Sequence, residues 1–290
     1  MATTANAGTV SGVTIARVIL VSDTHLSPAA PEAQANWEAV LGYVAMNVPD
    51  MVIHLGDLTL DGARDPSQLA HGRRQLDRLP VPWHAVPGNH DIGDNPLPGA
   101  RPDSMVDTSR HQRWLDLVGT DQWSLTTDGW ILLGINAQLL GSGLGAEARQ
   151  WSWLEDTLSQ RRGSQRIALI AHKPVAADDA EISTAPAYRF WPEPARHRLG
   201  GVLAGSPLAL VATGHVHQFR MLRLGGADHL WVPTTWAVLP DHAQPVLGAK
   251  RCGIVSLTFA SDAPPRPQLI EPDGIAQLTL TKDLPDPYYG

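Results

Sequence analysis

Five short polar clusters carry residue types that hold metal ions or move protons: DTH (23–25), GD (56–57), GNHD (88–91), AH (171–172) and GHVH (214–217). They supply Asp23, His25, Asp57, Asn89, His90, Asp91, His172, His215 and His217. Mixed carboxylate and imidazole donors suit Mn, Fe, Zn or Co, whereas calcium prefers oxygen alone. One ion takes about four to six ligands, so the set is too large for one ion and about right for two. Two ions need a bridging carboxylate, and such a pair promotes in-line displacement at phosphorus.

Each residue has a plainer reading when taken singly. Asp23 and Asp57 would be turn or cap carboxylates, and Asn89 a turn residue after Gly88. His25 would lie at the surface, His172 would end a strand, and His215 and His217 would flank a bend. Those readings fail jointly, because each cluster follows an apolar run. ARVILVSD (16–23), DMVIHLGD (50–57), VPWHAVPGNHD (81–91), QRIALIAHKP (165–174) and ALVATGHVHQF (209–219) all read as buried strands with polar ends. Helical spacing occupies 33–47 and 67–79, with Ser67 as N-cap, and an amphipathic helix spans 147–162. The first ninety residues therefore alternate strand and helix, which implies parallel strands with right-handed crossovers. Ligands of such sheets gather beyond the carboxyl ends of the strands, where the clusters lie.

Further along, GWILLGINA (129–137) reads as a strand and 219–236 as a hairpin turning at Gly225–Gly226. Runs 253–260 and 275–280 read as antiparallel strands, and 92–113 and 175–205 as long loops. His54 and His84 read as strand residues. His71, His111, His197, His229 and His242 read as surface histidines, and Asp94, Asp178 and Asp179 as loop charges.

The 290 residues suit one large domain, with 43% apolar and 18% charged residues. A formal charge of −7 argues against nucleic acid as a partner. The single Cys252 excludes an internal disulfide and cysteine-based zinc sites. The first twenty residues lack a secretory leader and no apolar run reaches about 18 residues, so a cytoplasmic protein without a membrane span is expected. Residues 1–13 read as a flexible N-terminus and 14–290 as the single domain.

The five clusters, in this order, resemble the calcineurin-like metallophosphoesterase superfamily, whose pattern is D-x-H, G-D, G-N-H-D/E, H and G-H-x-H. The match covers residues 23–217 and looks most like the branch of class III cyclic-nucleotide phosphodiesterases and glycerophosphodiesterases. The resemblance implies an α/β fold, a four-layer αββα sandwich of two mixed sheets flanked by helices. It implies two divalent ions, manganese or iron before zinc or cobalt. Asp23, His25 and His217 would hold one ion, Asn89, His172 and His215 the other, and Asp57 both. His90 would face the substrate as acid or phosphate-oxygen donor, with Asp91 bonded to its other nitrogen. The implied activity is phosphoester hydrolysis by a hydroxide activated on the ions. A small diester such as a cyclic nucleotide is expected, with a phosphomonoester, a nucleotide pyrophosphate or a non-catalytic scaffold as alternatives. Segment 175–205 could cap the site, with Tyr188, Arg189, Phe190, Trp191, Arg196 and Arg198 offering rings and cations. Trp231 and Trp236 could line the pocket, and tryptophan-rich surfaces leave a homodimer open.

Overall fold

The computed structural model describes residues 17–96, 102–127, 129–161, 163–178, 189–261 and 263–280. The N-terminal stretch 1–13, Tyr188 and Asp179 lie outside them. The chain runs β1 (Arg17–Val21), α1 (Pro31–Asn47), β2 (Met51–His54), α2 (Pro66–Leu76), β3 (Trp83–Ala85), α3 (Asn89–Ile92), α4 (Thr108–Leu117), β4 (Trp123–Thr127), β5 (Trp130–Gly134) and α5 (Gly145–Ser159). It continues through β6 (Arg166–Ile170), α6 (Glu193–Val202), β7 (Leu208–Thr213), β8 (Arg220–Leu224), β9 (Ala227–Trp231), β10 (Ala237–Val238), β11 (Ile254–Thr258), β12 (Gln268–Ile270) and β13 (Leu278–Thr279).

Two mixed sheets stack face to face, in the strand orders β12-β11-β1-β2-β3 and β4-β5-β6-β7-β9-β8. Alternation along each strand divides its side chains between two cores. Val18, Leu20, Met51 and Ile53 meet Trp130, Leu132, Ala168 and Leu210 between the sheets. Ile19, Val21 and Val52 point the other way, under Trp37 and Val40 of α1, Leu69 of α2 and Trp114 of α4. Ile131, Leu133 and Leu169 pack beneath Trp151 of α5 and Leu199 of α6. The result is helix, sheet, sheet, helix. Trp37 has no exposed surface, and its truncation to alanine would cost about 3–5 kcal/mol. The tryptophans largely fill these layers; Trp231 and Trp236 are buried as well.

Strands β1, β2 and β3 are mutually parallel, as are β5, β6 and β7. Their carboxyl ends therefore open on one edge of the sandwich. The hairpin β8–β9 turns at Gly225 and Gly226, both with positive φ, as a two-residue turn of right-twisted strands requires.

Several local expectations are corrected. Asp65, not Ser67, caps α2, its carboxylate accepting from the Ser67 N–H; with Pro66 at the first helical position the cap lies two residues earlier. The 275–280 run is not antiparallel. Its strand β13 pairs in parallel with β10, because Asn36 of α1 clamps the backbone of Ala276 through both amide atoms while also donating to the Thr235 carbonyl. The loops 92–113 and 175–205 each contain helix: α4, capped by Asp107, and α6. Strand β4, absent from the sequence reading, pairs antiparallel with β5.

Candidate metal centre

Every cluster residue sits just beyond a strand's carboxyl end: Asp23 and His25 after β1, Asp57 after β2, Asn89 and His90 after β3, His172 after β6, and His215 and His217 after β7. Six residues other than glycine have positive φ among those described, and five belong to the clusters: Asp23 (52°), His25 (47°), Asp57 (52°), His215 (67°) and His217 (52°). A left-handed backbone costs an ordinary residue about 1–2 kcal/mol. Neighbouring loops hold the strain in place. Asp23 N–H donates to Gly56 O (3.0 Å), His25 N–H to Asp57 O (3.0 Å) and Leu26 N–H to Leu58 O (2.8 Å). His215 N–H donates to the Asp23 carboxylate at 3.0 Å.

Three overlapping donor groups form among the described residues; two follow the expected ligand sets, and the third joins His25, Asp57 and His90. Asp23, His25 and His217 make one, with His25 Nε2 3.3 Å from His217 Nε2 and His217 Nε2 3.3 Å from Asp23 Oδ1. Asp57, His172 and His215 make the second. In it His172 Nε2 lies 3.1 Å from His215 Nδ1 and 3.2 Å from both Asn89 Oδ1 and Asp57 Oδ2. Asp57 Oδ2 also faces His25 Nε2 at 3.8 Å, so one oxygen looks toward both groups. Its other oxygen accepts the His90 N–H at 2.9 Å.

The donor set fits divalent ions. Ligands about 2.1 Å from a shared ion, at tetrahedral to octahedral angles, stand about 3.0–3.4 Å apart; the 3.1–3.3 Å separations within each group match this, and the Asp57–His25 separation of 3.8 Å is wider. The tautomers agree. His172 Nδ1–H donates to Leu55 O (2.8 Å) and His217 Nδ1–H to Ala237 O (2.6 Å), turning both Nε2 lone pairs inward. Among the described residues, buried His25 Nδ1 has no hydrogen-bond partner.

The charges are mutually dependent. Burial opposes ionisation of Asp57, but His172, His90 and His25 overcome it and hold the carboxyl well below its usual range. Burial disfavours protonated His172, yet the Asp57 carboxylate pushes it up to about 9. His217 is likewise raised, Asp23 outweighing burial. Burial and the neighbouring rings drive His25 and His215 well below the ordinary imidazole value.

GNHD departs from expectation at Asp91. Gly88 has an extended backbone (φ −106°), so its role is not a turn that only glycine could make. A Cβ there would stand 2.1 Å from Asp57 Oδ1; the glycine allows close approach. Nor does Asp91 bond the His90 ring. Asp91 accepts from the N–H groups of Leu58 (3.1 Å), Thr59 (2.9 Å) and Gly88 (2.9 Å) and from the Thr59 hydroxyl (2.7 Å), so it ties the GD loop to the GNHD loop. Burial and then Asp57 raise its carboxyl to about 6 against those donors. His90 Nδ1–H instead donates to Leu60 O at 2.7 Å, and its Nε2 lies 4.0 Å from Asp57 Oδ2.

Other placements also differ. Phe190 and Trp191 of the supposed cap are buried in the fold, Phe190 packing with Val216 and Trp231. Arg198 lies over Trp151 and pairs with Glu155, and Arg196 is buried. His111 and His229 are buried rather than surface residues. Asp94 is no loose loop charge: it pairs with fully buried Lys173, the residue after His172. The unread contributors are this pair and the Leu60 carbonyl; Trp236, expected near the pocket, places its ring 4.9 Å from His25. Lys173 inside AHKP was visible; the distant partner of each was not.

A dinuclear-type donor set at one edge of a four-layer sandwich defines the metallophosphoesterase class. Residues 16–219 match the calcineurin-like phosphoesterase family, and the chain belongs to it. Over 211 residues it is 26% identical to the "probable glycerophosphodiester phosphodiesterase GpdQ" of Arcobacter nitrofigilis, covering 69% of this chain and 71% of that protein. In fold it is similar to a purple acid phosphatase from yellow lupin, at 15% identity and a TM-score of 0.58 over 87% of this chain; it spans 50% of the lupin chain's length. A dimetal phosphatase from Danio rerio gives 15% identity and a TM-score of 0.54, with 86% of this chain and 94% of that one covered.

Proposed function

We propose that the protein is a dinuclear-metal phosphodiesterase acting on a small diester, of which cyclic nucleotides and glycerophosphodiesters are examples. The carrying observation is Asp57 Oδ2 facing two donor groups, beside His90. Asp23, His25 and His217 would hold one ion, Asn89, His172 and His215 the second, and Asp57 both. Bound ions would supply a nucleophilic oxygen at neutral pH and stabilise charge developing on the phosphoryl oxygens. Asn89 adds an oxygen donor without adding charge. Because His90 Nδ1–H is committed to Leu60, only its Nε2 serves the substrate, and it donates there as imidazolium. The Leu60 carbonyl, not Asp91, orients that ring. The diester preference draws on the named relative, and the charge of −7 favours a small substrate over a polyanion.

The test compares bis(p-nitrophenyl) phosphate with p-nitrophenyl phosphate, each with added Mn²⁺ and with chelator. Faster, metal-dependent cleavage of the diester is expected. Faster cleavage of the monoester would make the enzyme a phosphomonoesterase, and chelator-insensitive turnover would overturn the metal role.

A further inference from the structure

We infer that His54 and Thr24 form a positioning lock behind the metal centre, fixing the strained loops that carry Asp23, His25 and Asp57. This rests on the ligand assignment proposed above. His54 ends β2 on the face packed under the helices and has no exposed surface; Thr24 is 1% exposed. Sequence reading makes His54 a core residue, but its ring is wired at both nitrogens. Gly56 N–H points at Nδ1 (3.2 Å) and Thr24 Oγ1 lies 3.0 Å from Nε2. An amide N–H can only donate, so Nδ1 accepts and the proton sits on Nε2. Nε2–H therefore donates to Thr24, whose hydroxyl donates onward to Leu58 O at 2.9 Å. One proton arrangement satisfies the whole chain, and burial keeps the ring neutral by lowering its pKa to about 4.

The path gives the chain its role. It begins at Gly56 and ends at Leu58, the two neighbours of Asp57. Its middle member, Thr24, lies between Asp23 and His25. Three ligand residues with φ near 50° are thus bracketed by one donor–acceptor series. Groups that orient metal ligands from behind are typically worth about 10–100-fold in metal affinity. His54 and Thr24 act through the ligands and touch no reacting atom, so they are positioning residues.

The experiment titrates apo protein with Mn²⁺ and Zn²⁺ against a competing chelator, alongside thermal melts of the apo forms. Wild type should bind two equivalents. Thr24→Val and His54→Leu should each weaken binding about tenfold, beyond any loss of apo stability. Thr24→Ser and His54→Gln, which keep the hydroxyl and an Nε2-like donor, should stay within about threefold of wild type, and the double variant should bind no worse than the weaker single. Wild-type affinity in Thr24→Val, multiplying losses, or equal rescue by His54→Asn and His54→Gln would overturn the lock. A wild type that binds no metal would remove the ligand assignment and the lock with it. Two bound equivalents without phosphoester turnover would remove only the substrate class.

Discussion

Among the described residues the fold buries carboxylates against imidazoles in two places, and one of the two is built to receive something. In the first, His111 Nε2 meets Asp121 Oδ2 at 2.7 Å, and Asn136 donates to the same oxygen at 2.9 Å. Asn136 also exchanges backbone and side-chain hydrogen bonds with Gln150 and caps Gln138. That network joins α4, the lead into β4, the end of β5 and α5, and its contacts are reciprocal. At the metal centre, lone pairs converge instead. Ring nitrogens stand 3.1 and 3.3 Å apart, three of the four rings on left-handed backbone, with the far nitrogens of His172 and His217 tied to carbonyls. Both sites are buried; the direction of the donors separates them. Structural polar groups satisfy one another, and ligand groups turn their acceptors on a common point.

Removing the shared carboxylate should give the largest break. Asp57→Asn should lose metal and phosphoester turnover together, by about three orders of magnitude in turnover, because neither donor group keeps its common oxygen. Metal analysis of the purified variant alongside an assay checks this. Full metal content at full activity would end the bridging role.

His90→Ala should separate chemistry from metal binding. Both equivalents should stay, while kcat falls about 10²–10⁴-fold, the usual worth of a positioned proton donor. Because Leu60 rather than Asp91 orients the ring, Asp91→Asn should act differently. Its effect should fall on metal retention and stability, since the carboxylate gathers three backbone N–H groups from the GD and GNHD loops. An unchanged kcat in His90→Ala would take the ring out of catalysis.

The same contrast explains what sequence could reveal. The strand bodies were legible because RVILV, RIALI and LALVAT are apolar runs of strand length ending in polar residues. The clusters were legible because the topology places every one of them on the same edge. What escaped depends on partners far along the chain. Asp91 is chosen by Leu58 and Thr59, His54 by Thr24, and Asp94 by Lys173, across separations of about 30 to 80 residues. Helix α4 escaped because Gly and Pro residues precede it, and its buried face needs only His111 and Trp114. Of the segment 175–205, residues 179–188 lie outside the described residues, and Phe190 and Trp191, read as rings for recognition, fill apolar space.

His111→Leu probes the self-satisfied site. It leaves Asp121 buried with the Asn136 donor, and should cost about 1–3 kcal/mol of stability. Metal stoichiometry and turnover should match wild type under conditions where the variant is folded. Denaturant midpoints beside a metal titration check this; loss of metal before loss of fold would show that the two sites are coupled.

Cys252 gives the smallest expected effect and tests the wall behind the centre. The thiol has no exposed surface, and its Sγ lies 3.4 Å from the carbonyl of Trp236, the residue whose ring packs on His25. Burial raises its pKa to about 11, so at pH 8 both the thiolate fraction and access to it are small. A thiol reagent should leave the native protein unlabelled over minutes at pH 8 and label one equivalent after denaturation. Thr24→Val should not change this protection, because the lock lies on the β2 side of His25 and Trp236 on the other. Faster labelling in that variant would mean that the loops around His25 loosen as one unit, and would join the supports of that ligand into a single element.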